Sequence, residues 1–492
     1  MLKISIFLNK FFLLAILLAG GVGAGIGLYP VETLILITLL LIGLLIFFFP
    51  RTSLVWLAFL FPFLPALNLG AGVDLASGRV LILLLFFSWL AHSLANKCFK
   101  VPLKIMGLLV ILFLVWVAGS YIYSPITERT FRKLLVFYSI FPLFFIGYGM
   151  FMEYGKKLVL SVFKAVAVGS IGIILIGIIQ FLSQFFWGGQ TVAGIYSNYI
   201  APFLWGKTVA VTVASNPSWF FDAGSIDLLR AFATFPDPHM LSYFLAFAIP
   251  LLVGIGLFQK KKKLKILYLT SAFMGLVVEL LTFSRGGYLG FFSALTFILT
   301  ILFFSSSNKK LLVEIVGGIG AGLLVLGIIF PVNPIFQRVG SIFNTYEGSN
   351  QGRLEIWGEA FNLFKDRPLL GVGLGAYSYE VRPAANYRDP IYAHNLYLEF
   401  LAEIGIPGFI FWLGIIVSAI WIFTKNYLKN KKSEMGIISF ALGSSLVWFS
   451  VHSLFEMPVY SPIILPLLVL TLALASYLED NLSGGSATSR SL

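Results

Sequence analysis

The residue types best suited to chemistry gather late in the chain. Ala393-His394-Asn395 is followed by Leu396-Tyr397-Leu398-Glu399-Phe400-Leu401-Ala402-Glu403-Ile404 and then Gly405-Ile406-Pro407-Gly408. Tyr397, Phe400, Leu401 and Ile404 recur at helical spacing. Gly405 and Pro407 break or reset that helix. His394 is therefore expected where a loop meets a helix. A neutral imidazole there can take a proton from a hydroxyl near pH 7. The plainer account is an interfacial histidine bonded to a carbonyl.

Three further segments carry cations. Gly352-Arg353-Leu354-Glu355-Ile356-Trp357 precedes Pro368-Leu369-Leu370-Gly371-Val372-Gly373-Leu374-Gly375. Arg353 and Trp357 lie one helical turn apart, and the glycine run allows backbone to approach a ligand closely. Thr282-Phe283-Ser284-Arg285-Gly286-Gly287 reads as a tight turn between two apolar arms, where a lone arginine needs a partner. Arg230 stands just before Ala231-Phe232-Ala233-Thr234-Phe235-Pro236. An arginine fork binds paired phosphate or carboxylate oxygens. His452 and Glu456, one turn apart, are candidates for a cavity wall, and His239 follows Asp237 at the start of a span. Glu399 and Glu403 read as a polar helix face. There is no Asp-x-Asp pair and no His-Glu-x-x-His, and Cys98 is the single cysteine, so no metal site is expected and arginines are the expected counter-charges.

The elements that must position these residues are apolar. Of 492 residues, 59% are hydrophobic and 11% charged, and the mean hydropathy is +0.95. A soluble domain carries about 25% charged residues, so lipid must be the solvent for most of this surface. The expected class is an all-α integral membrane protein with 12–14 transmembrane helices, in stretches near 11–28, 31–49, 53–69, 79–95, 103–123, 133–152, 158–184, 238–258, 264–283, 286–304, 311–331, 404–424, 435–456 and 460–478. Pro62 and Pro65 mark the third stretch as broken or re-entrant. The net charge of +13 lies between apolar segments, as topology determinants do. With the N-terminus inside, nearly all lysines fall on the inner side. Most arginines, including Arg79, Arg129, Arg230, Arg285, Arg338, Arg353 and Arg388, then fall outside, which points to an anionic ligand there. Two long outer loops are expected, 185–237 and 332–395. They divide N-terminal spans (1–184) from central spans (238–331) and C-terminal spans (396–480), with a cytoplasmic tail at 481–492.

Taken together, these segments resemble the O-antigen ligase and polymerase superfamily. The resemblance rests on His394-Asn395, nine residues, Gly405-x-x-Gly408, on the Ser-Arg-Gly turn, on Gly-Arg-x-x-x-Trp with its Pro-Leu-x-Gly-x-Gly sequel, and on the arginine before Thr234-Phe235. It covers residues 225–425. It implies a helical, GT-C-like glycosyltransferase fold in the bacterial cytoplasmic membrane. It further implies an active site on the periplasmic or exterior face and transfer from a polyprenyl (undecaprenyl) diphosphate-linked glycan to a glycan or lipid acceptor, without a cofactor. By position, His394 would be the general base, Arg285 and Arg353 would hold the diphosphate, and Arg230 would assist. Trp357, Tyr397 and His452 would line the cavity. The reading from another class is a transporter or flippase for a lipid-linked or anionic substrate, which requires ionisable groups at mid-membrane.

Overall fold

The computed structural model describes residues 41–68, 74–207, 210–211, 217–222, 227–305, 317–318, 338, 348–384 and 391–483. The expected span 11–28, all but residues 317–318 of 311–331, most of 31–49, Arg388 and the tail beyond 483 lie outside the described residues. The protein is an all-α polytopic membrane protein. Among the described residues, nine helical stretches are long and apolar enough to cross a bilayer.

The helices used below are α1 (Pro50–Leu60), α2 (Ser77–Ala95), α3 (Ile105–Tyr123), α4 (Thr127–Ile140), α5 (Pro142–Trp187), α6 (Gly189–Ile195), α7 (Ala201–Trp205), α8 (Pro238–Phe258), α9 (Lys262–Leu281), α10 (Arg285–Ser305), α11 (Gly348–Asp366), α12 (Tyr377–Val381), α13 (Leu396–Lys429), α14 (Glu434–His452) and α15 (Ile464–Ser483). Two short antiparallel hairpins complete the list. They are β1 (Ala66–Asn68) with β2 (Asp74–Ala76), and β3 (Phe220–Asp222) with β4 (Asp227–Leu229).

The stretch with Pro62 and Pro65 does not span. Its helix α1 has 11 residues, roughly 17 Å at the α-helical rise, against a hydrocarbon core of about 30 Å. A 3₁₀ turn at Phe61–Phe63 and extended backbone at Leu64 then lead into the first hairpin. The two expected outer loops also hold more structure than their composition suggested. The first contains α6, α7 and the β3–β4 hairpin, and the second contains α11 and α12. Helix α5 is two rods joined at Gly155 (φ 64°), and it continues α4 in one apolar stretch, Thr127–Trp187, where the sequence suggested two spans.

Burial separates the helices into a centre and a lipid-facing ring. The best window of α8 is 78% buried, as is that of α15, whereas α2 and α3 reach 33% and α10 only 28%. Because lipid is the solvent, the exposed faces are apolar too, as with Val417 and Trp421 on α13. Helix α14 packs against α8, α10 and α13, and α13 also packs against α3 and α11.

Helix α13 is kinked at Gly405 (φ 64°, ψ −173°), as the Gly-x-Pro-Gly spacing predicts. Pro407 has no N–H to give to the Glu403 carbonyl. The orphaned carbonyls find partners in the glycine run. Val372 N–H donates to Ala402 O at 2.8 Å, and Gly373 N–H donates to Glu403 O at 2.8 Å. In return Ile406 N–H donates to Pro368 O at 2.9 Å. A Cβ at Gly371 would sit 2.4 Å from the Glu403 carbonyl carbon, and one at Gly405 would sit 2.2 Å from Leu369 O. These glycines therefore let backbone approach backbone, not a ligand as the sequence alone suggested. Gly405→Ala combines that clash with a left-handed conformation. It is expected to cost about 2–4 kcal/mol, read as a lowered thermal midpoint of the purified protein in detergent.

Candidate functional site

The site is assembled from four chain segments. The first is the N-terminus of α10. Ser284 caps the helix, its Oγ accepting from Gly287 N at 3.2 Å. That makes Arg285 the first helical residue, and it is buried (6% exposed). The two glycines after it are needed for close approach. A Cβ at Gly286 would meet His452 Cδ2 at 2.7 Å, and one at Gly287 would meet Ser242 Oγ and the Glu279 carboxylate.

The second segment is the His394 junction. Asn395 is the N-cap of α13, its Oδ1 accepting from Tyr397 N at 3.0 Å and Leu398 N at 3.1 Å. Leu396 N–H donates to Ser453 O at 2.9 Å, which ties this junction to the end of α14. Tyr397 OH donates to Ser450 O at 2.8 Å and makes a second tie. His394 itself is left-handed (φ 47°). Histidine tolerates that region better than most residues, and such backbone persists where the surroundings hold it.

The third and fourth segments meet His394 at one carboxylate, Glu456, in the loop after α14. His394 Nδ1 lies 2.9 Å from Glu456 Oε2, and Arg353 Nη2 donates to Glu456 Oε1 at 2.9 Å. His239 Nε2 is 3.9 Å from Oε1. The side chain of Glu456 is 10% exposed and that of His394 is 42% exposed, so the acid is the floor and the imidazole faces open space. Burial acts to raise the Glu456 carboxyl. The charges of His394, His239 and Arg353 outweigh it and hold the group well below the usual carboxylate range. Reciprocally, Glu456 raises His394 above its ordinary value, against the opposing effect of burial. An ionised carboxylate only accepts, so in the neutral imidazole His394 Nδ1 carries the proton and Nε2 keeps its lone pair.

A hydroxyl links this trio to α10. Ser284 Oγ is 3.0 Å from His239 Nδ1 and 3.4 Å from His452 Nε2. The sequence reading put His452 at a cavity wall. The structure instead buries it completely, stacked on Tyr243 with centroids 3.8 Å apart. Trp357 is partly buried, and its ring lies against Phe455, the neighbour of Glu456 (6.2 Å).

Arg230 lies on an extended segment beside the α10 turn. Gln184 exchanges two hydrogen bonds with Leu229, and Gln180 brackets Arg230 and Phe232. Arg230 Nε donates to Thr282 O at 2.6 Å, and Nη1 donates to Ser218 O at 2.7 Å. Its Nη2 is buried with no hydrogen-bond partner. Burial, then the nearby charge of Arg338, pushes the guanidinium down to about 9.

Sequence reasoning singled out His394, Arg353 and the α10 turn, which the structure brings near one another, but gave Glu456 only a place beside His452. It missed His239 as a neighbour of both Ser284 and Glu456. It also read Glu399 and Glu403 as a polar face, whereas both are 1% exposed. Only contacts between distant segments reveal these roles.

Residues 269–413 match the family described as O-antigen ligase. A Haemophilus influenzae protein described as uncharacterized is 25% identical over 249 residues, which is 45% of this chain and 60% of that protein. The aligned region thus spans less than two thirds of that relative. The family match contains Arg285, Arg353 and His394 but ends well before Glu456. Through residues 269–413, the chain is thus similar to the O-antigen ligase family.

Proposed function

We propose that the protein transfers a glycan from a polyprenyl diphosphate carrier, undecaprenyl diphosphate in bacteria, to an acceptor hydroxyl at the outer face of the cytoplasmic membrane. The observation that carries this reading is the His394–Glu456–Arg353 trio inside and beside a segment of the O-antigen ligase family. Glu456 holds the imidazole with Nε2 unprotonated, and Nε2 takes the proton as the acceptor oxygen attacks the anomeric carbon. The bond from that carbon to the diphosphate oxygen breaks, and the electron pair leaves with the diphosphate. Arg285, Arg353 and the unfilled Nη2 of Arg230 are suited to the charge that develops there. Base and leaving group on opposite faces of the sugar give inversion, and guanidinium groups replace a metal. Transport would also draw on buried charges within spans. Here, however, Glu399 and Glu403 are engaged with the protein's own loop backbone.

Purified protein given a lipid-diphosphate-linked glycan and a panel of acceptors is expected to release the carrier diphosphate and form a product of inverted anomeric configuration, read by NMR. Turnover should persist in excess chelator. Activity lost to chelator and restored by a divalent ion would overturn the metal-free mechanism, and retained configuration would overturn the single displacement.

A further inference from the structure

Helices α4 and α13 enclose charges that the proposed mechanism does not use. Glu399 and Glu403 are buried at 1% exposure each, and the Lys133 ammonium interacts electrostatically with both. That ammonium lies 3.2 Å from the Tyr460 ring centroid and 4.7 Å from that of Tyr392. Three ionisable groups inside span helices are costly unless they perform some task.

Their hydrogen bonds indicate the task. Glu399 Oε2 accepts the Ala393 N–H at 2.9 Å, the peptide immediately before His394. Glu403 Oε1 accepts the Tyr377 N–H at 3.2 Å, at the end of the glycine run. The two carboxylates stand one turn apart on the first rod of α13, and each holds one strand of the loop that closes the site. Beyond them, the Glu403 backbone carbonyl binds Gly373 N–H. Lys133 offsets charge that would otherwise be buried uncompensated.

We infer that Glu399 is a positioning residue for His394, acting through the Ala393 peptide, with Glu403 and Lys133 as its supports. Residue 394 is left-handed, and left-handed backbone on a non-glycine residue is held by its surroundings. Glu399 fixes the peptide on one side of it, and the Asn395 cap fixes the other. Together they set the direction from which His394 reaches Glu456. The inference rests on the reading of His394 as the base.

The test compares Glu399→Ala, Glu399→Gln and the pair Lys133→Met with Glu399→Gln, using two readouts. The first is turnover on the lipid-linked donor. The second, independent of any glycan, is the rate at which diethyl pyrocarbonate modifies His394, followed by mass spectrometry. In Glu399→Ala, kcat is expected to fall on the order of 10²-fold with KM for the donor unchanged, the scale of a misplaced reacting group. Modification of His394 should quicken as the junction loosens. Glu399→Gln keeps an oxygen for the Ala393 N–H and leaves Lys133 facing Glu403, so it should retain most activity, whereas the double variant strands the Glu403 charge and should be less active than Glu399→Gln alone; equal activity would remove Lys133 from the supports. Glu399→Ala with wild-type kcat and labelling would overturn the inference. So would Glu399→Gln as inactive as the alanine variant, since the charge and not the acceptor would then be what matters. If His394→Ala itself turns over normally, the base reading fails instead, and the labelling comparison still decides whether Glu399 holds the junction.

Discussion

Replacing His394 with alanine is expected to lower transfer by about 10³-fold or more, at the upper part of what a positioned general base contributes. Three features of the junction set this loss. The imidazole is open on one side, with its partner Glu456 buried beneath it. The acceptor-only carboxylate fixes the tautomer that leaves Nε2 free. The junction is pinned by the Asn395 cap and the Leu396–Ser453 bond. Alanine is less at home in a left-handed position than histidine, so lost activity alone could reflect a disturbed fold. Asparagine adopts this conformation readily and can bond to Glu456, so His394→Asn should match the wild-type thermal midpoint and be as inactive as alanine. A folded His394→Asn variant with undiminished turnover would remove the base from the mechanism.

What was legible in the sequence followed from local spacing. The kink at Gly405 and the position of His394 where loop becomes helix depend on residues within about three turns of one another, and both are present. The broken stretch at Pro62 was legible for the same reason. Features decided by distant partners were not. Glu456 lies 62 residues beyond His394. Glu399 and Glu403 have the pattern of a solvated face, and only the charge of Lys133 and the loop N–H groups they accept show otherwise. The glycine run reads from sequence as a place where backbone approaches a ligand, whereas its partner is the kinked backbone of α13. The kink frees the carbonyls of Ala402 and Glu403 from the helix, and the peptides of residues 372 and 373 bind them. The loops were expected to be irregular because helices such as α11 are too polar to show an apolar stripe.

The second large effect is expected at Glu456. Glu456→Gln preserves size, so the floor of the site should remain filled, but an amide can present either a donor or an acceptor. If its N–H₂ faces His394, Nδ1 must accept, the proton moves to Nε2 and the base is blocked. If its oxygen faces His394, Arg353 loses its charged partner. Either arrangement is damaging, and the expected loss in kcat is on the order of 10³-fold, as for the orienting acid of other imidazole bases. The pH profile distinguishes this role from a merely structural one. Catalysis requires neutral His394, so activity falls as pH drops through its pKa. In the wild-type protein Glu456 holds that value above the ordinary 6.5, and the acid limb should lie correspondingly high. Removing the negative charge removes the largest cause of the rise, while burial and Arg353 continue to act in the other direction. The acid limb of the residual activity must therefore move to lower pH in Glu456→Gln. A limb that stays in place or moves upward would show that the carboxylate is not the partner that sets the protonation of His394, and the mechanism would then need a different base.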